Sequence, residues 1–246
     1  MKTCSFEKIF GDKKRVMFVY AHPDDAEVFS GGLIARLTAE GKQVRIVKTT
    51  GGDKGSRDMD ISQDELAKTR KAENENSMNI LGVKPEDNVF LGYEDGSVEN
   101  NLEVIKSIAF QIRQFKPDLL VTHNPEDVFI RFDEEESWIN HRDHRNTGKS
   151  TIDASYPYSR DLFFSPDQLG IEGVSSHSVA QYLIVDHFDH PDIVYFDVTM
   201  YLNTKIKALS CHGSQFSREH AQSTAEFFAP EENEKRLEGF RYVCAD

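Results

Sequence analysis

The stretch His22-Pro23-Asp24-Asp25-Ala26-Glu27 places an imidazole and three carboxylates within six residues. His22 and Asp25 can each give a lone pair to a divalent metal, with Pro23 stiffening the turn so that both side chains face one point. Asp24 is left free beside them. The same stretch could instead serve a helix N-terminus, with Asp24 or Asp25 as the cap and Glu27 complementing the dipole. A second, distant cluster favours metal. In Asn140-His141-Arg142-Asp143-His144 two histidines stand three apart with a carboxylate between them. Two nitrogen ligands, one carboxylate and a position open to water is the ligand count of a catalytic rather than a structural zinc. His22, Asp25 and one of the second pair supply it. Asp24 and the remaining histidine are then a base and an acid beside an activated water, the set that hydrolyses an amide or ester.

The elements that must position these residues are legible from pattern. Residues 16–20 are a short β-branched and aromatic run, as a buried strand should be, and residues 27–40 read as a helix stopped by Gly41. The acidic stretch therefore sits on a strand-to-helix turn, at the sheet edge where open α/β folds put their ligands. Residues 44–47 form a second strand running into the glycine-rich loop 49–57, which lacks G-x-x-x-x-G-K-[ST]. Ser62-Gln63-Asp64-Glu65 is a capping box that opens an amphipathic surface helix ending at Gly82. A third strand at 89–91 leads to the turn 92–96. Apolar residues from Leu102 to Phe115 repeat at helical steps, and a fourth strand at 119–122 delivers His123 into a long polar loop. This alternation predicts an α/β fold, a mainly parallel sheet with helices on both faces. The second half reads less regularly. Strands at 179–185 and 193–198 form a hairpin-like addition, followed by helices at 203–210 and 231–240. We expect one domain over 1–246, with 1–125 as its core and 126–246 carrying the metal-site loop, added strands and C-terminal helices.

Composition narrows the partners. Lys and Arg number 29 against 42 Asp and Glu, a formal charge of −13 over 246 residues, which opposes nucleic acid and anionic lipid surfaces and favours a small molecule. Runs such as Asp133-Glu134-Glu135-Glu136 read as solvated surface. No apolar run approaches the ~20 residues that span a bilayer, so membrane insertion is not expected. Cys4, Cys211 and Cys244 have no C-x-x-C spacing, which argues against a disulfide framework or thiolate zinc site, and with no secretory pattern in residues 1–14 the expected location is cytoplasmic. A homo-oligomer is left open. His123, His177, His187, His190 and His220 read as surface or loop residues.

The sequence resembles the PIG-L/LmbE family of zinc-dependent N-deacetylases. The residues that carry this are Ala21 to Glu27 after a buried strand, the distal His-x-Asp-His, Thr50 to Arg57, Leu91-Gly92-Tyr93-Glu94-Asp95-Gly96, and Lys207-Ala208-Leu209 followed by His212-Gly213-Ser214-Gln215. The resemblance implies a Rossmann-like sheet with an irregular C-terminal portion, and removal of acetyl from an N-acetylglucosamine derivative, an amino-sugar substrate. By motif position it makes His22, Asp25 and His144 the ligands of zinc or another divalent ion, and Asp24 the general base. His141 would stabilise the oxyanion or protonate the leaving amine, with Asp143 holding its ring, and Arg57 and Asp95 would meet sugar hydroxyls. His212 and Gln215 match a motif that serves equally as helix capping and core hydrogen bonding. Two departures stand out. Arg142 replaces the family's usual Pro, adding a cation suited to an anionic substrate or a different acceptor, and the acidic insertion 128–140 offers a new pocket wall. Rival readings are hydrolysis of another amide or ester on this scaffold, and a metal-binding regulator without turnover. A Rossmann nucleotide module is opposed by a first strand that ends in His-Pro-Asp-Asp rather than G-x-G-x-x-G.

Overall fold

A computed structural model describes residues 6–56 and 60–245. The first apolar run forms β1 (Arg15–Tyr20), and its alternate side chains feed two cores: Val16, Phe18 and Tyr20 on one face, Met17 and Val19 on the other. A strand covered on both faces reads as a continuous apolar run without alternation, so its short length and β-branched, aromatic composition are what mark it as a strand. It is followed by α2 (Asp25–Ala39), β2 (Gln43–Thr50), α3 (Gln63–Ile80), β3 (Asn88–Tyr93), α4 (Leu102–Phe115) and β4 (Leu119–His123), after a short α1 (Phe6–Phe10) that the sequence reading missed. The capping box at Ser62 and Glu65 is formed, and Asn101 caps α4.

Beyond β4 lie β5 (Phe129–Arg131), β6 (Ser137–Ile139), α5 (Arg142–Asp153), β7 (Gln181–Val185), β8 (Ile193–Asp197), α6 (Leu202–Leu209), α7 (Arg218–Phe227), β9 (Glu231–Glu232) and β10 (Lys235–Cys244). The main sheet runs β3-β2-β1-β4-β7-β10-β8, with β9 paired to β10. β3, β2, β1, β4 and β7 are parallel, and β10 is antiparallel to both β7 and β8. The sheet is thus mainly parallel, as expected. Residues of α2 and α3 share one core, whereas α4 and the segment after α5 belong to the other. The order reverses between β1 and β4. Chain segments leaving these two strands diverge, opening the crevice in which such sheets bind ligands.

Three expectations are corrected. β7 and β8 are not a hairpin with each other; β10 lies between them. The segment expected as a final helix, 231–240, is a strand pair, because Asn233 and Glu234 both adopt positive φ (52° and 63°) and turn the chain back. Gly239 is required in β10, since a Cβ there would lie 2.6 Å from the Tyr195 ring. The acidic insertion is not a plain loop either: Phe129–Arg131 and Ser137–Ile139 pair as an antiparallel ribbon.

Candidate active site

His22 leaves β1 and Asp25 opens α2, so both stand at the reversal point. Asp24 occupies the N-cap position but its carboxylate caps nothing; Oδ1 accepts instead from Arg70 Nη2 at 2.9 Å. Asp25 Oδ2 accepts from the His22 backbone N–H at 2.7 Å, which turns the carboxylate back over β1. His144, one turn into α5, meets it from across the crevice. His22 Nδ1 lies 3.2 Å from His144 Nε2, His144 Nε2 lies 3.2 Å from Asp25 Oδ1, and His22 Nδ1 lies 3.4 Å from Asp25 Oδ2. Two nitrogen ligands each 2.0–2.1 Å from a tetrahedral zinc would stand roughly 3.3 Å apart. The two imidazoles match that separation, the Asp25 carboxylate presents one oxygen to each ring, and one ligand atom from each residue lies within 4.8 Å of the others, so the residues fit such an ion by donor type and proximity.

The surrounding shell fixes this triad. His22 Nε2 faces Asp95 Oδ1 at 3.2 Å and Asp143 Oδ2 at 3.6 Å, so its ring N–H has carboxylate acceptors and Nδ1 is freed for a ligand bond. Burial opposes charge on His22, but Asp25, with Asp143 and Asp95, overcomes this and raises its pKa well above 6.5. Burial likewise opposes ionised Asp25, but His144, His123 and His22 hold its carboxyl well below the usual range. Asp95 is buried, and despite that burial the adjacent His22 holds its pKa down to about 2.

Two residues given roles by the resemblance make further contacts here. Asp95 was expected at a sugar hydroxyl, yet Oδ1 serves His22 and Oδ2 accepts from the Lys54 backbone N–H at 3.0 Å. Asp143 was expected to hold the His141 ring. Its backbone N–H donates to His141 Nδ1 at 3.1 Å, while its carboxylate accepts from the Gly96 and Val98 backbone N–H groups at 2.6 and 3.2 Å. Arg142 completes this grip on the 96–98 turn by donating to the Gly96 and Val98 carbonyls and pairing with Glu99, so the cation at the family's proline position braces a loop. Arg57 lies outside the described residues.

Two site residues escaped the sequence reading. Arg70 is buried on α3, where it holds Asp24 and donates from Nη1 to the Gly52 carbonyl at 2.7 Å. Gly52 sits at φ 65°, and a Cβ there would lie 2.3 Å from the guanidinium, so the glycine makes room for it. The available signal was a buried α3 stripe of Leu66, Arg70, Asn74, Ser77 and Met78, in which polar residues hold apolar spacing. His123, read as a loop residue, is buried at the end of β4, stacks on His144 with ring centroids 3.9 Å apart, and lies 3.1 Å from Asp25 Oδ2. Burial, then the adjacent His144, pushes its pKa down to about 3. His212 is fully buried against Glu27 (2.8 Å), which favours the core hydrogen-bonding reading of its motif. Another carboxylate and histidine group, Asp127, Asp186 and His187, lies beyond β4 and β7, where Arg241 stands 3.6 Å from Asp186 Oδ2 and opposes a cation.

Among known proteins, the diacetylchitobiose deacetylase of Thermococcus kodakarensis is 28% identical over 244 residues, covering 95% of this chain and 85% of the relative. The 1D-myo-inositol 2-acetamido-2-deoxy-alpha-D-glucopyranoside deacetylase of Rhodococcus erythropolis is 25% identical, covering 87% of this chain and 84% of the relative. The solved N,N'-diacetylchitobiose deacetylase of Pyrococcus horikoshii, complexed with its inhibitor MPG, superposes with a TM-score of 0.80 at 29% identity over 98% of this chain and 87% of that one. The profile of PIG-L, GlcNAc-PI de-N-acetylase, matches residues 17–155, over half of the chain and spanning both halves of the His22–Asp25–His144 triad; the chain belongs to the PIG-L family.

Proposed function

We propose that this chain is a zinc-dependent hydrolase that removes the acetyl group from an N-acetylglucosamine derivative, releasing acetate and a primary amine. The observation that carries this is the convergence of His22, Asp25 and His144, with a ligand atom of each within 4.8 Å of the others, next to the carboxylate of Asp24, which caps no helix N–H. The matched relatives, named as deacetylases of a chitobiose and of an inositol glucosaminide, support an amino-sugar substrate. A bound zinc ion supplies a Lewis acid for the acetyl carbonyl and lowers the pKa of water. A His₂-Asp set also accepts other divalent ions.

The chain's own residues do the rest. Asp24, held through Oδ1 by Arg70, takes the proton of the attacking water and later delivers it toward the amine. His141 Nδ1 is occupied as an acceptor of the Asp143 N–H, so its proton resides on Nε2. Burial, then the neighbouring His22 and His144, lowers its pKa, keeping the ring neutral. A neutral Nε2–H is suited to donate to the developing oxyanion, and this reading favours that role over protonation of the amine. Cys211 and Cys244 are free thiols, and among the described residues no helix is long and apolar enough to cross a membrane, which supports a cytoplasmic setting.

The test is amine release from N-acetylglucosamine, diacetylchitobiose and the inositol glycoside by zinc-loaded protein, with and without a chelator. Chelator-sensitive release is expected, lost in Asp24→Asn with zinc content still near one per chain. Amine release by Asp24→Asn above a few per cent of wild type would remove Asp24 as the base. Release of none of the three amines by zinc-loaded wild type would favour another amide or ester.

A further inference from the structure

The metal triad separates two unlike flanks. On one side His22 is backed by Asp95 and Asp143, and Asp24 by Arg70, a polar surface suited to sugar hydroxyls. On the other, His144 and His123 form part of the wall of a cavity of about 250 Å³ whose remaining lining is mostly apolar and aromatic, including Val28, Phe29, Phe132, Trp138, Phe216 and Phe228. Phe29 connects the two: its ring lies 6.0 Å from His144 and 5.6 Å from His123 on one side, and 5.1 Å from Phe228 and 6.0 Å from Phe132 on the other. Trp138 closes the far end, packing on Phe132, Phe227 and Phe228. The ribbon β5–β6 and the following α7 thus bring the 128–140 insertion and the C-terminal segment together around one space. The two asparagines in this wall are already engaged, Asn140 Nδ2 with the Asn124 and Asp127 carbonyls and Asn124 Nδ2 with Asp127 and Asp186, while the His220 ring packs against Phe216.

An acetyl group does not need such a space. A cavity of about 150 Å³ already admits benzene. A secondary amide is planar and trans, so its two carbon substituents project in opposite directions from the C–N bond. With the carbonyl at the triad and the amino sugar on the polar flank, the acyl carbons point into the aromatic cavity.

We propose that this cavity is an acyl subsite, and that the enzyme prefers amino sugars whose N-acyl group is an uncharged chain of about four to eight carbons or a phenyl-substituted acyl group. The inference rests on the N-deacetylation reading above and extends it to longer acyl groups at the same amide. The reaction is otherwise the same: water adds to the acyl carbon, the C–N bond breaks, the carboxylate carries the longer chain, and the nitrogen gains the proton.

The experiment compares N-acetyl-, N-butanoyl-, N-hexanoyl- and N-phenylacetyl-glucosamine with zinc-loaded wild type, reading amine release as kcat/KM. Each methylene moved from water into the cavity adds roughly fourfold, so the four extra methylenes of hexanoyl should raise kcat/KM at least tenfold even with partial burial. Hydrolysis of the acetyl compound at an equal or higher kcat/KM than the hexanoyl compound overturns the acyl subsite and leaves the deacetylase reading intact. Failure of every acyl compound overturns both. Thr224→Trp adds an indole to the α7 wall of the cavity. It should lower the hexanoyl-to-acetyl ratio at least tenfold, a ratio measured within one protein and so independent of the folded fraction. An unchanged ratio in that variant places the acyl chain elsewhere.

Discussion

Replacing Asp95 by Asn discriminates a metal-orienting carboxylate from a sugar-binding one. Asp95 is buried with both oxygens engaged, Oδ1 at 3.2 Å from His22 Nε2 and Oδ2 at 3.0 Å from the Lys54 N–H. An amide keeps only one acceptor, so its NH₂ must oppose either the His22 ring N–H or the Lys54 N–H, and the negative charge behind His22 is lost. Asp143 Oδ2, 3.6 Å from the same nitrogen, remains as a poorer acceptor and limits the damage. Loss of such an outer carboxylate weakens metal affinity about 10–100-fold, or about 1.4–2.7 kcal/mol. The zinc dissociation constant of the metal-free protein, measured by competition with a chromophoric chelator, should rise by that factor, while KM at saturating zinc changes by less than about threefold. Unchanged zinc affinity together with a raised KM would refute the assignment and return Asp95 to the sugar.

The raised pKa of His22 means that the metal-free ring is protonated at neutral pH and must lose its proton to bind zinc. Calorimetry in buffers of different ionisation enthalpy should record about one proton released per zinc at pH 7, and no release would contradict the stated contacts. By the same sign, charged His22 stabilises the metal-free fold fully below about pH 6.5, a contribution lost as pH rises through the raised value, so thermal stability of the metal-free protein should fall over that window. Arg70→Met should retain zinc but lower kcat about 10–100-fold, because Asp24 loses the guanidinium at 2.9 Å that fixes it; wild-type kcat in this variant would show that Asp24 is positioned by other means. Glu238→Gln leaves the fully buried Lys205 ammonium, 2.7 Å away, without its counter-charge and should cost about 3–5 kcal/mol, a fall in Tm of roughly 10 °C by calorimetry. A fall of under about 3 °C would show that the pair is already neutralised.

The local sequence was enough for the elements that build the parallel part of the sheet and for the residues that chemistry singles out. β1, the capping box before α3, and the periodic α4 follow from short-range pattern, because burial on one or both faces leaves a repeat in the residues themselves. His22, Asp24, Asp25 and the His141–His144 cluster were legible because few structural needs call for that density of imidazole and carboxylate. Which histidine of the second cluster faces Asp25 came only from the resemblance, and which carboxylate backs which ring was not legible. Those contacts join residues more than forty positions apart, and their geometry is set by how α5 and the 96–98 turn meet across the sheet. The C-terminal strand was misread for the same reason: residues 235–244 are held between β7 and β8 by partners about forty to sixty positions away, against a local pattern that also suits a helix. Arg70 and His123 carry ordinary surface signatures in the chain and become site residues only through burial against Asp24, Asp25 and His144. Sequence therefore determined the fold class and the reactive groups, whereas tertiary packing decided their partners, since pairing depends on distance in space and the chain records only distance along itself.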